Sequence, residues 1–373
     1  MRRMVKFMKK LLLLLLPFLL LCGCTHDFSR KEIDEIDLVL VLGIDYSDGQ
    51  YTISALYNSG GGSDPEKGGS SDKEKVAEGI GKTAYKALED LKLKNKKSIS
   101  LAQTGAFLIG SGAAQQGIRE SIDFLSRDET IKMEGLIYVV KDMSASDFIK
   151  KGTENKQTIH EDLEAIKQKQ KENLTRNDNT VVNILNDMDQ TMSAVLVPYL
   201  IADKSGYVIQ GYAVFDKFKL LDYLDQQTYD GVNFIKNIMR SYPVYLEDKI
   251  SLLISYTKTK LKAEIENNEI IISVYLNFES SVKEILTGKD IFTEEELAKL
   301  TDEQNAYIQN IIEKAVDYSR TRGLDIFNLA RLIENQNYSK WKNIKNDWSS
   351  RISTIKYVYD IKSRISKSFI LSS

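Results

Sequence analysis

The most regular pattern in the carboxyl-terminal part of the chain is the segment Leu261-Lys-Ala263-Glu-Ile265-Glu-Asn267-Asn268-Glu-Ile270-Ile-Ile272-Ser-Val274-Tyr-Leu276-Asn-Phe278. Apolar and polar residues alternate on both sides of Asn267-Asn268, which is the period of strands with one buried face. Asparagine tolerates positive φ, so the asparagine pair predicts a hairpin turn. The segment therefore predicts an antiparallel sheet whose buried face is covered by helices.

Residues 243–373 are predicted to form one domain around this hairpin, with Pro243 at its boundary. A long helix is predicted after the hairpin, ending at Gly323, because apolar residues from Tyr307 onward recur at i, i+3 and i+4. Two capping boxes are predicted for this region, at Thr293-x-x-Glu296 and at Thr301-x-x-Gln304. Trp341 and Trp348, seven residues apart, predict a buried helix face. A final strand is predicted at 355–361.

Residues 32–146 are predicted to form a first α+β domain. The continuous apolar run Ile36–Ile44 predicts a buried strand, and Tyr51–Tyr57 a second strand paired with it in a hairpin. The glycine-rich segment Gly60–Ser71 predicts a surface loop. The later predictions are a helix whose apolar pattern begins at Val76 and runs to Leu91, a strand over 99–109, a helix over 113–125 and a strand over 131–140.

Residues 147–242 are predicted to form a smaller middle domain. Charged helices occupy 147–193, and the apolar runs 194–202 and 207–215 predict a hairpin around Asp203-Lys204-Ser205-Gly206. A further helix is predicted over 216–237. The predicted fold class is thus α+β, an exported lipoprotein of three domains with antiparallel or mixed sheets covered by helices.

The amino terminus predicts export and membrane anchoring. Residues 1–10 are basic, and the apolar run Leu11–Cys22 spans about 18 Å as a helix, short of the roughly 30 Å hydrocarbon core, so residues 1–23 predict a cleaved signal peptide. The sequence Leu21-Cys22-Gly23-Cys24 resembles the bacterial lipobox. Cleavage between Gly23 and Cys24 would leave Cys24 to receive an S-diacylglycerol group, with an N-linked acyl chain such as palmitate as a further possibility. Residues 24–31 form the lipidated tether.

Composition excludes several classes of protein. The chain of 373 residues has 2 Cys and 2 His, which argues against a disulfide framework and a His-rich metal centre. Five of the 51 basic residues lie in residues 1–23, which hold no acid, so the remainder carries 46 basic against 53 acidic groups, a net charge of −7. An acidic body argues against nucleic acid as a partner.

Three motifs invite catalytic or binding interpretations, and each has a structural explanation that is preferred. Gly79-Ile-Gly81-Lys-Thr-Ala84 resembles a phosphate loop, but Val76 occupies the position of its first glycine. It also fits the dinucleotide fingerprint Gly-x-Gly-x-x-Ala, but no strand is predicted before it, so a helix with small residues facing a neighbour is preferred. His160 is interpreted as a solvated histidine on a charged helix, and Glu161/Asp162 and Glu294-Glu-Glu296 as exposed helix faces. No catalytic, cofactor or metal site is predicted.

The order of segments along the chain resembles the Ger(x)C family, the GerAC-like lipoprotein C subunits of spore nutrient-germinant receptors. The lipobox is followed by Arg30-Lys-Glu-Ile-Asp-Glu-Ile-Asp-Leu-Val-Leu-Val-Leu-Gly-Ile-Asp45. Later come Leu125-Ser-Arg-Asp128, Val197-Pro-Tyr-Leu200, Gly211-Tyr-Ala-Val-Phe-Asp-Lys-Phe-Lys-Leu220 and the two tryptophans. The shared order of these segments carries the resemblance.

The resemblance implies a non-enzymatic scaffold subunit, lipid-anchored on the outer face of the spore inner membrane and needed for spore germination. Its implied partners are an integral A subunit and a transporter-like B subunit. Two alternatives remain open at this point: a solute-binding lipoprotein of a transporter, which predicts two similar α/β lobes around a cleft, and an anchored cell-wall hydrolase. The germinant, the contact surfaces and the direct binding of a small molecule are left undetermined.

Overall fold

The computed structural model describes residues 35–58, 74–154, 158–176, 178–190, 192–203, 206–247, 249–267, 269–286 and 291–366. Two β-sheets, each with packed helices, account for most of these residues. The strands are β1 (Ile36–Ser47), β2 (Gln50–Asn58), β3 (Glu74–Gly81), β4 (Ser98–Ser100), β5 (Ala106–Ile109), β6 (Leu136–Val140), β7 (Val195–Asp203), β8 (Gly206–Asp216), β9 (Lys219–Tyr223), β10 (Tyr242–Leu246), β11 (Ile250–Glu266), β12 (Glu269–Ile285) and β13 (Lys356–Ser366). The α-helices are α1 (Ala84–Lys94), α2 (Ser111–Gln116), α3 (Arg119–Arg127), α4 (Ala145–Glu154), α5 (Ile159–Asn173), α6 (Val181–Met188), α7 (Gln226–Ile235), α8 (Glu294–Arg322), α9 (Leu329–Gln336), α10 (Tyr338–Ile344) and α11 (Trp348–Ile352).

The first sheet has nine strands in the order β3-β2-β1-β5-β6-β7-β8-β9, with the short β4 also paired to β1. The central pairs β1–β5, β5–β6 and β6–β7 are parallel, whereas the outer pairs are antiparallel. Every residue of β5 and β6 is buried. Parallel strands that are covered on both faces consist of consecutive apolar residues and do not alternate between apolar and polar ones, which explains the sequences of β5 and β6.

Helices cover both faces of the first sheet. On one face α1, α2, α3 and α6 pack in a cluster whose members include Leu88, Ile122 and Ile184. On the other face α4 and α5 pack through residues such as Phe148 and Leu163. The sheet is therefore the middle layer of a three-layer body.

The first sheet runs across the predicted boundary between residues 146 and 147. Strand β6 pairs in parallel with β7 through Val139↔Tyr199 and Val140↔Leu200. The helices α4–α6 between them form the crossover that a parallel pair requires. The described residues of 32–146 and of 147–223 consequently share one sheet, and the charged helices that suggest a new domain belong to that crossover.

Several predicted elements differ from the observed ones. Val76 and Ile80 lie in β3 rather than in a helix, because a spacing of four also places two residues on one face of a strand, and β2 supplies the hydrogen bonds. The predicted strand 99–109 is interrupted between β4 and β5, and the predicted helix 113–125 breaks at Gly117, where φ is 140°. The predicted helix 216–237 begins as strand β9, which extends the first sheet at its edge.

The second sheet has the order β10-β11-β12-β13 and contains the predicted hairpin. Leu261 pairs with Val274 and Ala263 with Ile272, and Asn267 adopts φ of 48°, as predicted for the turn. The sheet is mixed rather than wholly antiparallel, because β13 returns parallel to β12. Pro243, the predicted boundary residue, lies in the edge strand β10, where a missing N–H is tolerated.

Helix α8 packs on the buried face of the second sheet. It begins as predicted at Thr293, whose hydroxyl accepts a hydrogen bond from the Glu296 amide, and ends at Gly323 with φ of 63°. The second predicted capping box is wrong: Thr301 lies inside α8 and its hydroxyl donates to the Leu297 carbonyl. Among the helices of the described ranges, none is both long and apolar enough to span a bilayer.

Candidate functional site

The predicted lipidation site, Gly23 and Cys24, lies outside the described residues, as does the predicted loop Gly60–Ser71. The first described strand begins at Ile36, twelve residues after Cys24. Lipidation of Cys24 and cleavage after Gly23 remain predictions.

The motif Gly79–Ala84 packs too tightly to hold a phosphate. It ends β3 and enters α1, so a strand does precede the helix, contrary to the prediction. A Cβ on Gly79 would lie 2.1 Å from the carbonyl oxygen of Ala87, and the amide of Ile80 donates to Asp90 at 2.8 Å. The Thr83 hydroxyl accepts from the Lys86 amide and caps α1. Gly79 and Gly81 do pack against a neighbouring helix, α1, as predicted, but they lie in a strand and not in a helix.

The titratable candidates are dispersed. His160 is half-buried in the first turn of α5, where its amide donates to Glu74 at 3.2 Å. Glu161 accepts from the Thr158 hydroxyl at 2.6 Å, and burial raises the pKa of Asp162. The acids Glu294-Glu-Glu296 lie in the exposed first turn of α8. Within the described ranges, no group of three or more His, Cys, Asp or Glu side chains could hold a metal ion.

The two tryptophans belong to the core, as predicted. Trp341 and Trp348 are buried, and their rings meet edge to face with centroids 5.2 Å apart. Trp341 lies in α10 and Trp348 begins α11, so a short 3-10 turn separates them within a broken helix. Their contact is typical of an aromatic pair in a packed interior.

A cleft of about 470 Å³ lies where the two sheets meet, and we take it as the candidate site. Its walls come from α5 and β8 of the first sheet, from α7, and from the segment that leads into β10 of the second sheet. Buried side chains form its floor, among them Gln170, Tyr229 and Asp230. Lys169 and Gln226 are exposed at its rim.

Polar groups converge at the floor of this cleft. The Tyr138 hydroxyl donates to Gln170 Oε1 at 2.9 Å, and Gln226 Nε2 donates to Asp230 Oδ1 at 3.0 Å. Asp230 is also hydrogen-bonded to the Tyr242 side chain. Burial raises the pKa of Asp230 to about 7, against the lowering effect of these two hydrogen bonds, and the nearby Asp225 raises it further.

Helix α7 explains why Asp230 is buried. All residues from Tyr229 to Ile235 are buried, because the helix lies between the first sheet and α8. Gly231 permits the close approach: a Cβ there would lie 2.4 Å from the carbonyl oxygen of Ile311. Asn233, on the same helix, accepts a hydrogen bond from the Tyr212 hydroxyl at 2.8 Å. A polar side chain in such a helix must find partners inside the protein.

None of the cleft residues was singled out from the sequence. The available signal is Tyr229-Asp-Gly-Val-Asn-Phe-Ile235, an apolar run that contains Asp230 and Asn233. An acid within an apolar helical run is a candidate functional residue, because burial of an unpaired charge is costly. Recognition of the cleft itself required both sheets, whose strands are distant in sequence.

Comparisons with known proteins identify the family. Residues 29–202 match the family model described as "Spore germination protein N-terminal domain", and residues 210–368 match "Spore germination B3/ GerAC like, C-terminal". The two matches meet within the β7–β8 hairpin.

A solved structure titled "Crystal Structure of the GerBC protein" shares the fold, with a TM-score of 0.56 and 15% sequence identity. The match covers 87% of this chain and 96% of that one. A comparison with the curated proteins gives no match. The two family matches together span nearly the whole chain, and this chain belongs to the GerAC-like family of spore germination proteins, as its sequence predicts.

Proposed function

We propose that this chain is the lipid-anchored C subunit of a nutrient germinant receptor, on the outer face of the spore inner membrane. The observation that carries the proposal is the position of the family match. It begins at residue 29, five residues after Cys24, so the family domains directly follow the lipobox-like sequence. Two acyl chains on such a cysteine anchor a protein stably, whereas one is marginal.

The proposed role is to dock integral membrane subunits, and the second sheet offers a surface for this. Tyr245, Tyr256, Tyr275 and Val358 lie on the sheet face opposite α8 and are between 38% and 56% exposed. Lys258 and Lys260 lie on the same face, between these aromatic residues. Exposed aromatic residues are enriched in protein interfaces, whereas lysines are typical of the polar rim. The anchor confines the chain to the membrane, so a modest interface suffices for binding.

The two alternative functions receive less support. A solute-binding lipoprotein predicts two similar lobes, whereas the described residues form a nine-stranded sheet and a four-stranded sheet of different topology. An anchored hydrolase predicts acid–base groups held together, and the candidate acids of the sequence lie apart. The proposed role includes no catalytic step.

The anchor is tested with Cys24→Ala and with Cys22→Ala as the matched control. Cys22 leaves with the signal peptide under the proposal, so Cys22→Ala should keep the protein in the membrane fraction and keep the nutrient response. Cys24→Ala should release the protein from the membrane fraction and abolish the nutrient response. A normal nutrient response of spores in which the Cys24→Ala protein is soluble would refute the anchored role.

The docking surface is tested separately with the double substitution Tyr256→Ala and Tyr275→Ala. We expect co-purification with the integral subunits to fall while the protein stays in the membrane fraction. Tyr338→Ala, which removes a side chain of similar exposure (56%) from α10, is the control. Undiminished co-purification of the double variant would exclude this face as the docking surface.

A further inference from the structure

Asp230 is a buried acid without a cationic partner. Asp230 is only 6% exposed. Among the described residues, no lysine, arginine or histidine lies within ion-pair distance of its carboxyl group. Its hydrogen bonds come from the neutral side chains of Gln226 and Tyr242. Removal of an unpaired carboxylate from water is costly unless a cation or enough hydrogen bonds compensate, and Asp230 has two neutral donors where the likewise buried Asp325 has four. Asp230 therefore lacks the partner that its burial calls for.

The surroundings of Asp230 favour a cation with an apolar body. Ile166, Met239 and the rings of Tyr207 and Tyr229 line the cleft, so most of its surface is apolar or aromatic. Aromatic faces attract ammonium groups, and apolar walls contribute through burial of hydrocarbon. A volume of about 470 Å³ lies within the range of known sites for small organic ligands.

The charged and titratable groups around the carboxyl are few. Asp225 caps the start of α7 and Tyr229 lies within it, and β10 contributes Tyr242, which is itself hydrogen-bonded to Tyr307 of α8. Of the lysines on α5, Lys169 lines the cleft, and its side chain is exposed at the rim. The buried floor around Asp230 consequently holds no lysine, arginine or histidine among the described residues that form it.

We propose that this cleft binds a small organic ammonium ion, with the ammonium group on the Asp230 carboxylate and an aliphatic or aromatic body against Ile166, Tyr229 and Met239. The inference goes beyond the receptor role and does not depend on the lipid anchor. A ligand in the cleft would contact α5 and β8 of the first sheet and the segment entering β10 of the second. It would thus join the two halves of the protein.

The experiment is calorimetric titration of the full chain with benzylammonium, in lipid nanodiscs where it purifies with the membrane and in buffer where it does not, with the same medium without protein as the blank. Benzyl alcohol and benzoate, which share the ring but lack the cation, are the comparison ligands. We expect benzylammonium to bind and the other two to bind at least tenfold more weakly. Because the carboxyl must be ionised, affinity should rise about tenfold between pH 6 and pH 8, and binding near pH 7 should release protons.

Two variants test the position of the site. Asp230→Asn preserves the shape and should weaken benzylammonium binding at least tenfold, while Asp189→Asn, an exposed acid on the same chain, should not. If Asp230→Asn fails to fold, Ser241→Trp fills the half-buried rim of the cleft and should abolish binding. Equal affinity for benzylammonium and benzyl alcohol, unchanged affinity in these variants, or no binding of benzylammonium at millimolar concentration would each overturn the proposal.

Discussion

Replacement of Asp325 by alanine should be one of the most destabilising single changes in this protein. Asp325 is 1% exposed and lies between α8 and α9. Its carboxylate accepts hydrogen bonds from the amides of Leu329 and Ala330, both at 2.8 Å, and from the amide of Phe327 at 3.2 Å. The Ser193 hydroxyl donates to it at 3.2 Å, which links the segment before β7 to the carboxyl-terminal half.

The magnitude follows from these four bonds. Each buried donor that loses its partner costs about 1–3 kcal/mol. Two effects offset part of this cost, because the variant no longer buries a carboxylate and some of the freed donors can turn toward water. The side chain also caps α9, whose N-cap residue Asn328 makes no side-chain capping bond. We therefore expect Asp325→Ala to lower the free energy of unfolding by about 3–5 kcal/mol, a large share of the 5–15 kcal/mol typical of a domain.

The assay is urea denaturation followed by tryptophan fluorescence. The chain has two tryptophans, both buried, and Trp348 lines the same surface cavity as Asp325, so the signal reports this region. The control is Asp317→Ala: that side chain is 73% exposed and its contact with Arg320 is 4.0 Å long, so we expect a change below about 0.5 kcal/mol. A loss smaller than about 1 kcal/mol for Asp325→Ala, with the urea slope unchanged, would show that these four hydrogen bonds do not hold the segment in place.

Three further predictions concern packing, backbone conformation and pH. Gly79→Ala should destabilise the protein by at least about 2 kcal/mol in urea denaturation, because its Cβ would lie 2.1 Å from a backbone oxygen, whereas Gly105→Ala, whose nearest neighbour is 3.4 Å away, should be close to neutral. Gly323→Ala should cost about 1 kcal/mol by the same assay, since the residue has φ of 63°. Burial raises the pKa of Asp230 to about 7, so the contribution of its protonated form to stability is fully present below about pH 4 and is lost as the pH rises through 7. That contribution should fall by about 1.4 kcal/mol per pH unit between these limits, measured as the difference between the unmodified chain and Asp230→Asn. A pH profile of Asp230→Asn parallel to that of the unmodified chain would contradict this.

Features that depend on neighbours along the chain were predictable from the residues alone. The hairpin around Asn267 was predictable because alternation of side chains and the turn preference of asparagine are local properties. The ends of α8 at Thr293 and Gly323 were predictable for the same reason, since caps act within one helical turn. The family followed from the order of short segments along the chain.

Features that depend on partners distant in sequence became visible in the folded chain. Val76 and Ile80 belong to a strand because β2 lies beside them and supplies hydrogen bonds. Residues 219–223 form β9 because β8 is available for pairing in the same way. The continuity of the first sheet across residue 146 required the parallel pair β6–β7, whose strands are separated by three helices. The cleft at Asp230 has walls from both sheets, and no local pattern encodes a contact between segments so far apart.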